Sequence, residues 1–391
     1  VNVDVAIIGG GVIGASIAYH VRTLGASCAL IDPEPYPRAP SATWASAGGV
    51  RSQRRDPREW PLTVRAAECW PDLADELDAD LGFVAGGHLH VVDDPADLDP
   101  LDARITAEQR AGIRVRRLDA DELRVVAPGI DPAARAAAYT AGDGQADPQL
   151  TGTAFRGMAT KLGATTHRER ARRVTVRDGR VTGVETDHER IGAGAVIAAA
   201  GSWTAALLRE WGIDLPLTLR IAQMIRTEVA DPALRATITW EGKRLSLKQT
   251  QAGDYLIGGG WQGVGSAGHH SYRLDRAAVT GSLAAARGAW PRLIDLGVAA
   301  VWCGLESESP DGVPYLGSLA GLGAPDGLHV AVGFSGHGFQ IAPAVGEAMA
   351  ALVTGNTTGG LLDGLEPTRI LTTPATVHSG QEGSVTWSNA G

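Results

Sequence analysis

The chain has 391 residues, 44% of them hydrophobic and 20% charged, with a net charge of −9 at neutral pH. Its 51 glycines and 21 prolines follow no period, which excludes collagen-like and low-complexity classes. The acidic balance lacks a Lys/Arg block that would track nucleic acid, and no apolar run approaches the ~20 residues that span a bilayer.

The first predicted unit is a βαβ crossover. Residues 3–8 form a nearly continuous apolar run, as expected of a parallel strand buried on both faces. Gly9, Gly11 and Gly14 follow as G-x-G-x-x-G, and Ile13, Ile17, Val21 and Leu24 recur at helical spacing. The glycines permit a tight turn, a close approach of backbone to a pyrophosphate, and close packing of helix on strand. A second apolar run, residues 28–31, ends at Asp32, whose carboxylate suits the two ribose hydroxyls. This context predicts dinucleotide binding but leaves NAD and FAD open; Asp32 argues only against a 2′-phosphorylated cofactor.

A Pro-rich turn leads to "SATWASAGGVRSQRR", residues 41–55, and then to a predicted helix over about 60–81. Residues 83–92 read as a strand pair, 95–113 as a helix, and 114–130 as a strand followed by a short helix. An amphipathic helix over 150–167 precedes a hairpin turning at Asp178-Gly179. "IGAGAVIAAAGSWTAALL" is a strand running into a glycine turn and a helix. Residues 217–303 carry several β-like runs and one helix near 275–290, and residues 328–354 return to strand, glycine loop and helix. The polar tail over 372–391 reads as loosely attached. Strand–glycine–helix segments therefore recur along the whole length. That spread favours a cofactor long enough to be touched from three places, as FAD is. Cys28, Cys69 and Cys303 are too few and too scattered for a disulfide framework or a metal cage. A reducing, cytoplasmic setting with no metal and no leader is expected.

Five segments carry a resemblance: "IIGGGVIG", "SAGGVR", "VIAAAGSW", "WCGLESESPDGVPYLG" and "VAVGFSGHGFQIAPAVGE". In order and spacing the chain resembles the D-amino-acid-oxidase-like flavoproteins, in the branch of glycine oxidase and sarcosine oxidase. The resemblance implies an α/β fold, with an α+β substrate part. A Rossmann-like FAD-binding domain would be drawn from 1–82, 142–214 and 305–371, with an inserted antiparallel-sheet substrate domain from 83–141 and 215–304. Gly9, Gly11, Gly14 and Asp32 would hold the ADP half, and Val174 would meet the adenine through its backbone. Gly201 and Trp203 would line the pyrophosphate side, and Ser46, Ala47, Gly48 and Gly49 would run beside the flavin ring. Gly336, His337, Gly338, Phe339 and Gln340 would begin the last helix and point N–H groups at the flavin O2, where a helix N-terminus favours negative charge.

The implied reaction is FAD-dependent amine oxidation: hydride transfer to flavin N5, imine hydrolysis, and reoxidation by dioxygen to hydrogen peroxide. A dehydrogenase using another acceptor and a non-catalytic flavin-binding subunit are the alternatives. Arg51 matches a basic residue beside the flavin, Arg54 matches the grip on the substrate carboxylate, and His337 lies at the flavin edge. A solvated basic loop pairing with Asp56 and Glu59 is the plainer reading of "RSQRRDPR". Gln340 replaces a carboxylate-binding lysine of sarcosine oxidase and Glu306 a carboxylate-binding arginine of glycine oxidase. The preferred substrate is accordingly an N-substituted glycine or other secondary amino acid anchored by Arg54. Ala47 stands at the position of flavin-linking histidines and Cys303 is offset from that of flavin-linking cysteines, so FAD is expected to be non-covalent. Lys248 is a candidate oxygen-activating cation. Trp44, Trp240, Tyr255 and Trp261 are candidates for an apolar substrate chamber or for ordinary sheet packing. A homo-oligomer is left open.

Overall fold

The structure is a computed structural model and describes residues 1–209, 211–266 and 271–371. The expected tail over 372–391 lies outside the described residues.

The chain forms a mixed α/β fold built on two eight-stranded sheets. In the first, β1 (Asn2–Ile8) lies between β2 (Cys28–Ile31) and β11 (Arg190–Ala198), parallel to both. Such a strand is covered on both faces, which is why its second half reads as unbroken apolar sequence. Val5 and Ile7 pack into one core, and Ala6 and Ile8 into the core on the opposite face. β8 (Thr165–His167) extends the sheet beyond β2. On the other side β20 (Leu328–Val332) runs parallel to β11, and β19 (Tyr315–Ser318) closes the edge antiparallel. The predicted hairpin is β9 (Ala171–Arg177) and β10 (Arg180–Thr186), hung from β11. Asp178 and Gly179 both have positive φ, 53° and 75°, as a two-residue hairpin turn that follows strand twist requires.

One face of this sheet is covered by α1 (Val12–Thr23), α7 (Pro148–Lys161) and α10 (Gly338–Val353), with α3 (Trp60–Cys69) against α10. α1 and α10 meet at Gly346, where a Cβ would lie 2.1 Å from Ser16 Oγ. The helix expected over 60–81 is instead α3 followed by α4 (Leu73–Glu76). Pro71 separates them, since proline has no N–H to continue the ladder. The short helices α2 (Ala42–Ala45) and α8 (Thr204–Arg209) flank the glycine turns of the same sheet.

The second sheet has the order β18 (Val298–Glu308), β12 (Thr218–Val229), β15 (Asp254–Gly258), β14 (Leu245–Gln249), β13 (Thr237–Trp240), β4 (His88–Val92), β6 (Ala136–Thr140) and β5 (Val115–Asp119). All neighbours are antiparallel except β13 and β4. Leu89, Ile225, Ile238, Leu247 and Ile257 form its core with Ala286 and Trp290, at the end of α9 (Arg276–Ala289). α5 (Leu98–Arg110) and α6 (Ala120–Val126) lie beside β5. The strand pair expected over 83–92 is the single strand β4, preceded by an isolated pairing of Val84 with Gln145. The intervening Gly86 packs against backbone, so that a Cβ there would fall 2.0 Å from Arg235 O. Two small ribbons complete the fold: β3 (Gly49–Val50) with β7 (Gly144–Gln145), and β16 (Val264–Ser266) with β17 (Ser271–Arg273). The first ribbon is tied to the second sheet, where Gln145 Nε2 donates to Gln249 O of β14 at 2.6 Å. Among the described residues no helix is long and apolar enough to cross a membrane.

Candidate active site

A cavity of about 690 Å³ runs along the carboxyl ends of β1, β2 and β11 to the start of α10. Its wall draws on sequence around residues 8–13, 31–46, 169–172, 199–207, 305–307 and 331–339. Ligands of open parallel sheets bind outside the carboxyl ends of the strands.

At one end is the glycine turn. Gly9 (φ 107°) presses against the end of β11, and a Cβ there would lie 2.4 Å from Ala199 O. A Cβ on Gly14 would lie 1.9 Å from Gly9 O, so the third glycine sets the approach of α1 rather than lining the cavity. Gly11 caps α1 with no side chain of its own, and the Thr43 hydroxyl accepts from Val12 N at 3.0 Å at the helix N-terminus. Asp32 fastens this turn to β2, accepting from Gly10 N at 2.6 Å and Glu34 N at 2.8 Å. Arg156 of α7 lies behind both. It donates to Gly10 O at 3.1 Å and to Glu34 O, with Nη2 3.9 Å from Asp32 Oδ2. Burial lowers its pKa, and Asp32 opposes the shift. Sequence reasoning passed over Arg156. A signal existed, because Gly152, Phe155, Arg156 and Ala159 share one helix stripe and the other three are small or apolar.

Of the expected cofactor-binding residues, Gly9, Gly11, Asp32, Ser46, Gly201, Trp203, Gly336, Gly338 and Phe339 line the cavity. The others lie outside its wall. Val174 is in the sheet core, paired with Val184, and the wall is formed instead by Glu169 to Arg172 just before it. Ala47, Gly48 and Gly49 continue from Ser46 towards the β3–β7 ribbon, and a Cβ on Gly48 would overlap Ala146 O at 2.0 Å. Gln340 is fully buried and turned inward, its side-chain Nε2 donating to Thr63 O at 3.1 Å while its backbone carbonyl accepts from Trp70 Nε1.

The far end of the cavity is the start of α10. Ser335 and Gly336 have positive φ, 51° and 82°, which turns the chain so that the helix N-terminus faces the cavity. His337 caps α10 but points away from the cavity, its Nδ1 3.6 Å from Glu59 Oε2. Burial pushes its pKa down to about 4, with Arg55 adding to the effect, so the ring is neutral at pH 7. Arg51 also lies beyond the wall, packed beside Gly49 with Nε buried and without a hydrogen bond among the described residues. Burial and the neighbouring Arg55 lower its pKa to about 10.

Arg54 lies outside the cavity wall. Its backbone is left-handed (φ 62°), and its guanidinium is engaged by Glu241 and by His90 Nε2 at 2.8 Å. Glu241 is held down to about 2 by its hydrogen bond to His90, with Arg54 contributing. Lys248 is buried on β14, its pKa pushed down to about 7 by burial and by Arg51, with Asp147 opposing. Cys303 packs against Ile221 and Leu305 in a small core. Trp240 and Tyr255 belong to the second sheet's core, Trp261 packs under Arg244, and Trp44 meets Trp302 edge-on; none of the four lines the cavity.

The cradle fits an FAD molecule on its own evidence. Two glycines of the turn, Gly9 and Gly14, are tight against backbone, a carboxylate stands at the end of β2, and a second helix N-terminus stands at the opposite end. Comparison with known proteins agrees. Residues 4–352 match the family described as FAD dependent oxidoreductase (DAO). The chain is 27% identical over 359 residues to a glycine oxidase of Pseudomonas aeruginosa, covering 90% of this chain and 94% of that protein. Among solved structures, glycine oxidase of Geobacillus kaustophilus superposes with a TM-score of 0.84 at 25% identity, covering 94% of this chain and 99% of that one. L-proline dehydrogenase of P. horikoshii has the same fold, with a TM-score of 0.87 at 23% identity over 95% of this chain and 98% of that one.

Proposed function

The chain belongs to the family of FAD dependent oxidoreductases, and on that premise we propose that it oxidises the CH–NH bond of a small amine or amino acid and hands the electrons to dioxygen. The observation that carries this reading is the single cavity assembled from both ends of the chain, running from Asp32 to the N-terminus of α10. FAD, when bound, supplies the acceptor for the two electrons that leave the substrate carbon as hydride. Gly9, Gly11 and Asp32 would hold its nucleotide half, with Gly201 and Trp203 alongside. Gly336 and Gly338 would turn helix N–H groups towards the charge that builds up on reduction. The imine that forms hydrolyses in water, and the acceptor's return by dioxygen yields peroxide. Attachment is non-covalent in this reading, since Cys303 is enclosed in its own apolar cluster and residue 47 is alanine.

An N-substituted glycine falls within this class, but Arg54, committed to Glu241 and His90, does not serve as its anchor in this arrangement. The test is anaerobic mixing of the holoenzyme with a panel of primary and secondary amines and amino acids. At least one should bleach the visible flavin absorbance, and air should then restore it with peroxide formed. A flavin that no member of the panel bleaches would sink the reading. Bleaching that air does not reverse would remove dioxygen as acceptor.

A further inference from the structure

The two ends of the cavity differ in charge. Around the glycine turn, Asp32, Glu34 and Glu169 are accompanied by Arg38, Arg170 and Arg172. At the α10 end, Glu306 is the only charged side chain among the described residues of the wall. It lies on β18 directly opposite Arg220 of β12. Both reach the same point: a Cβ on Gly336 would stand 3.6 Å from Glu306 Oε2 and 3.8 Å from Arg220 Nη1. Arg220 is shared, because its Nη1 also lies 3.4 Å from Glu308 Oε1. Its Nε is buried without a hydrogen bond among the described residues.

Arg220 thus serves two carboxylates, with Arg244 beyond it at Gly260, and its ion pair within 4 Å is with Glu308 and not with Glu306, the carboxyl that faces the cavity. Burial raises the Glu306 pKa, Arg220 opposes that, and Glu308 adds to it, so the carboxyl gains from a cation that enters the cavity. A substrate carboxylate at the same point would meet the Glu306 carboxyl, with Glu308 already holding Arg220. A cationic nitrogen would complete the pairing, and Gly336 has no side chain to obstruct it.

We propose that Glu306 selects the substrate by charge, so that the protein takes amines without a carboxylate on the reacting carbon and prefers those with a second, cationic nitrogen that Glu306 receives. This rests on the amine-oxidation reading above and narrows its substrate class to diamines.

The test uses the holoenzyme of the wild type, E306Q and E306R, mixed anaerobically with glycine, sarcosine, 1,4-diaminobutane and N-methyl-1,4-diaminobutane. With wild type the better diamine should reduce the flavin about tenfold or more faster than either amino acid at equal concentration. E306Q should lose that preference, and E306R should invert it. Faster reduction by glycine or sarcosine, or by neither diamine, overturns the proposal. The underlying reading falls only if the wider panel also fails to bleach the flavin. A changed flavin spectrum in E306Q with an unchanged diamine-to-glycine ratio would set the carboxyl against the ring and overturn it as well. The wild-type ratio decides the first arm alone, so a variant that does not fold cannot shield the idea.

Discussion

Lys248 is an amine kept where a charge is costly. Its pKa falls from the ordinary 10.5 to about 7 in the fold, chiefly through burial. Between those two values the unfolded chain holds a proton that the native state does not. Stability therefore rises with pH across that window, by up to about 1.4 kcal/mol per pH unit from this group. K248M should flatten that part of the profile and stabilise the protein near neutral pH, as read from denaturant midpoints at about pH 7.5 and about pH 9.5. An unchanged slope would mean that the amine reaches water. His337 works in the same direction at lower pH. Neutral in the fold and protonated more readily when unfolded, it costs stability as the solution is acidified from its ordinary 6.5 towards about 4. Neither shift is visible in a sequence. Lys248 sits in an ordinary alternating strand, and its burial depends on the β3–β7 ribbon and the residues around Arg51 and Asp147.

At the scale of elements, the βαβ start was legible because its cause is local. A strand buried on both faces is apolar throughout, a tight turn needs glycine, and a helix shows its period. The strand–turn–helix at 328–353 was legible for the same reason. What could not be read is whatever depends on register between distant strands. Arg220 and Glu306 are 86 residues apart in sequence, and only the pairing of β12 with β18 sets them opposite one another. The fate of Arg54 depends similarly on Glu241, which follows β13. Arg156 is an intermediate case, because its helix stripe betrays its burial but not its target. It ties α7 to the loops that end both β1 and β2, beside the glycine turn. R156M should weaken FAD binding by about tenfold or more, in line with the loss of charge-assisted hydrogen bonds. Flavin fluorescence quenching on titration into apoprotein would measure this, with the melting temperature of the apoprotein as a control. Unchanged affinity with a lowered melting temperature would reduce Arg156 to a purely structural tie.

For the whole molecule, the sheet that carries the cavity takes strands from residues 2–31, 165–198 and 315–332, while the second sheet takes its strands from 88–140 and 218–308. The chain thus passes between the two several times, and neither sheet is a contiguous stretch. A chain ending before Gly338 should retain no flavin through gel filtration, even with an intact glycine turn, because the opposite end of the cavity and the helix covering α1 and α3 would be missing. Flavin retained by such a chain would show that the first crossover suffices for binding.

The position of α10 also has a consequence in time. On the ribosome the glycine turn precedes its partner helix by more than 320 residues. At common elongation rates that gap lasts about 15–65 s. During it α7 comes to cover one side of α1, but the surfaces of α1 and α3 that α10 will meet stay open and must be shielded by other proteins or by provisional collapse. The cavity that FAD would span is accordingly complete only once α10 has been made.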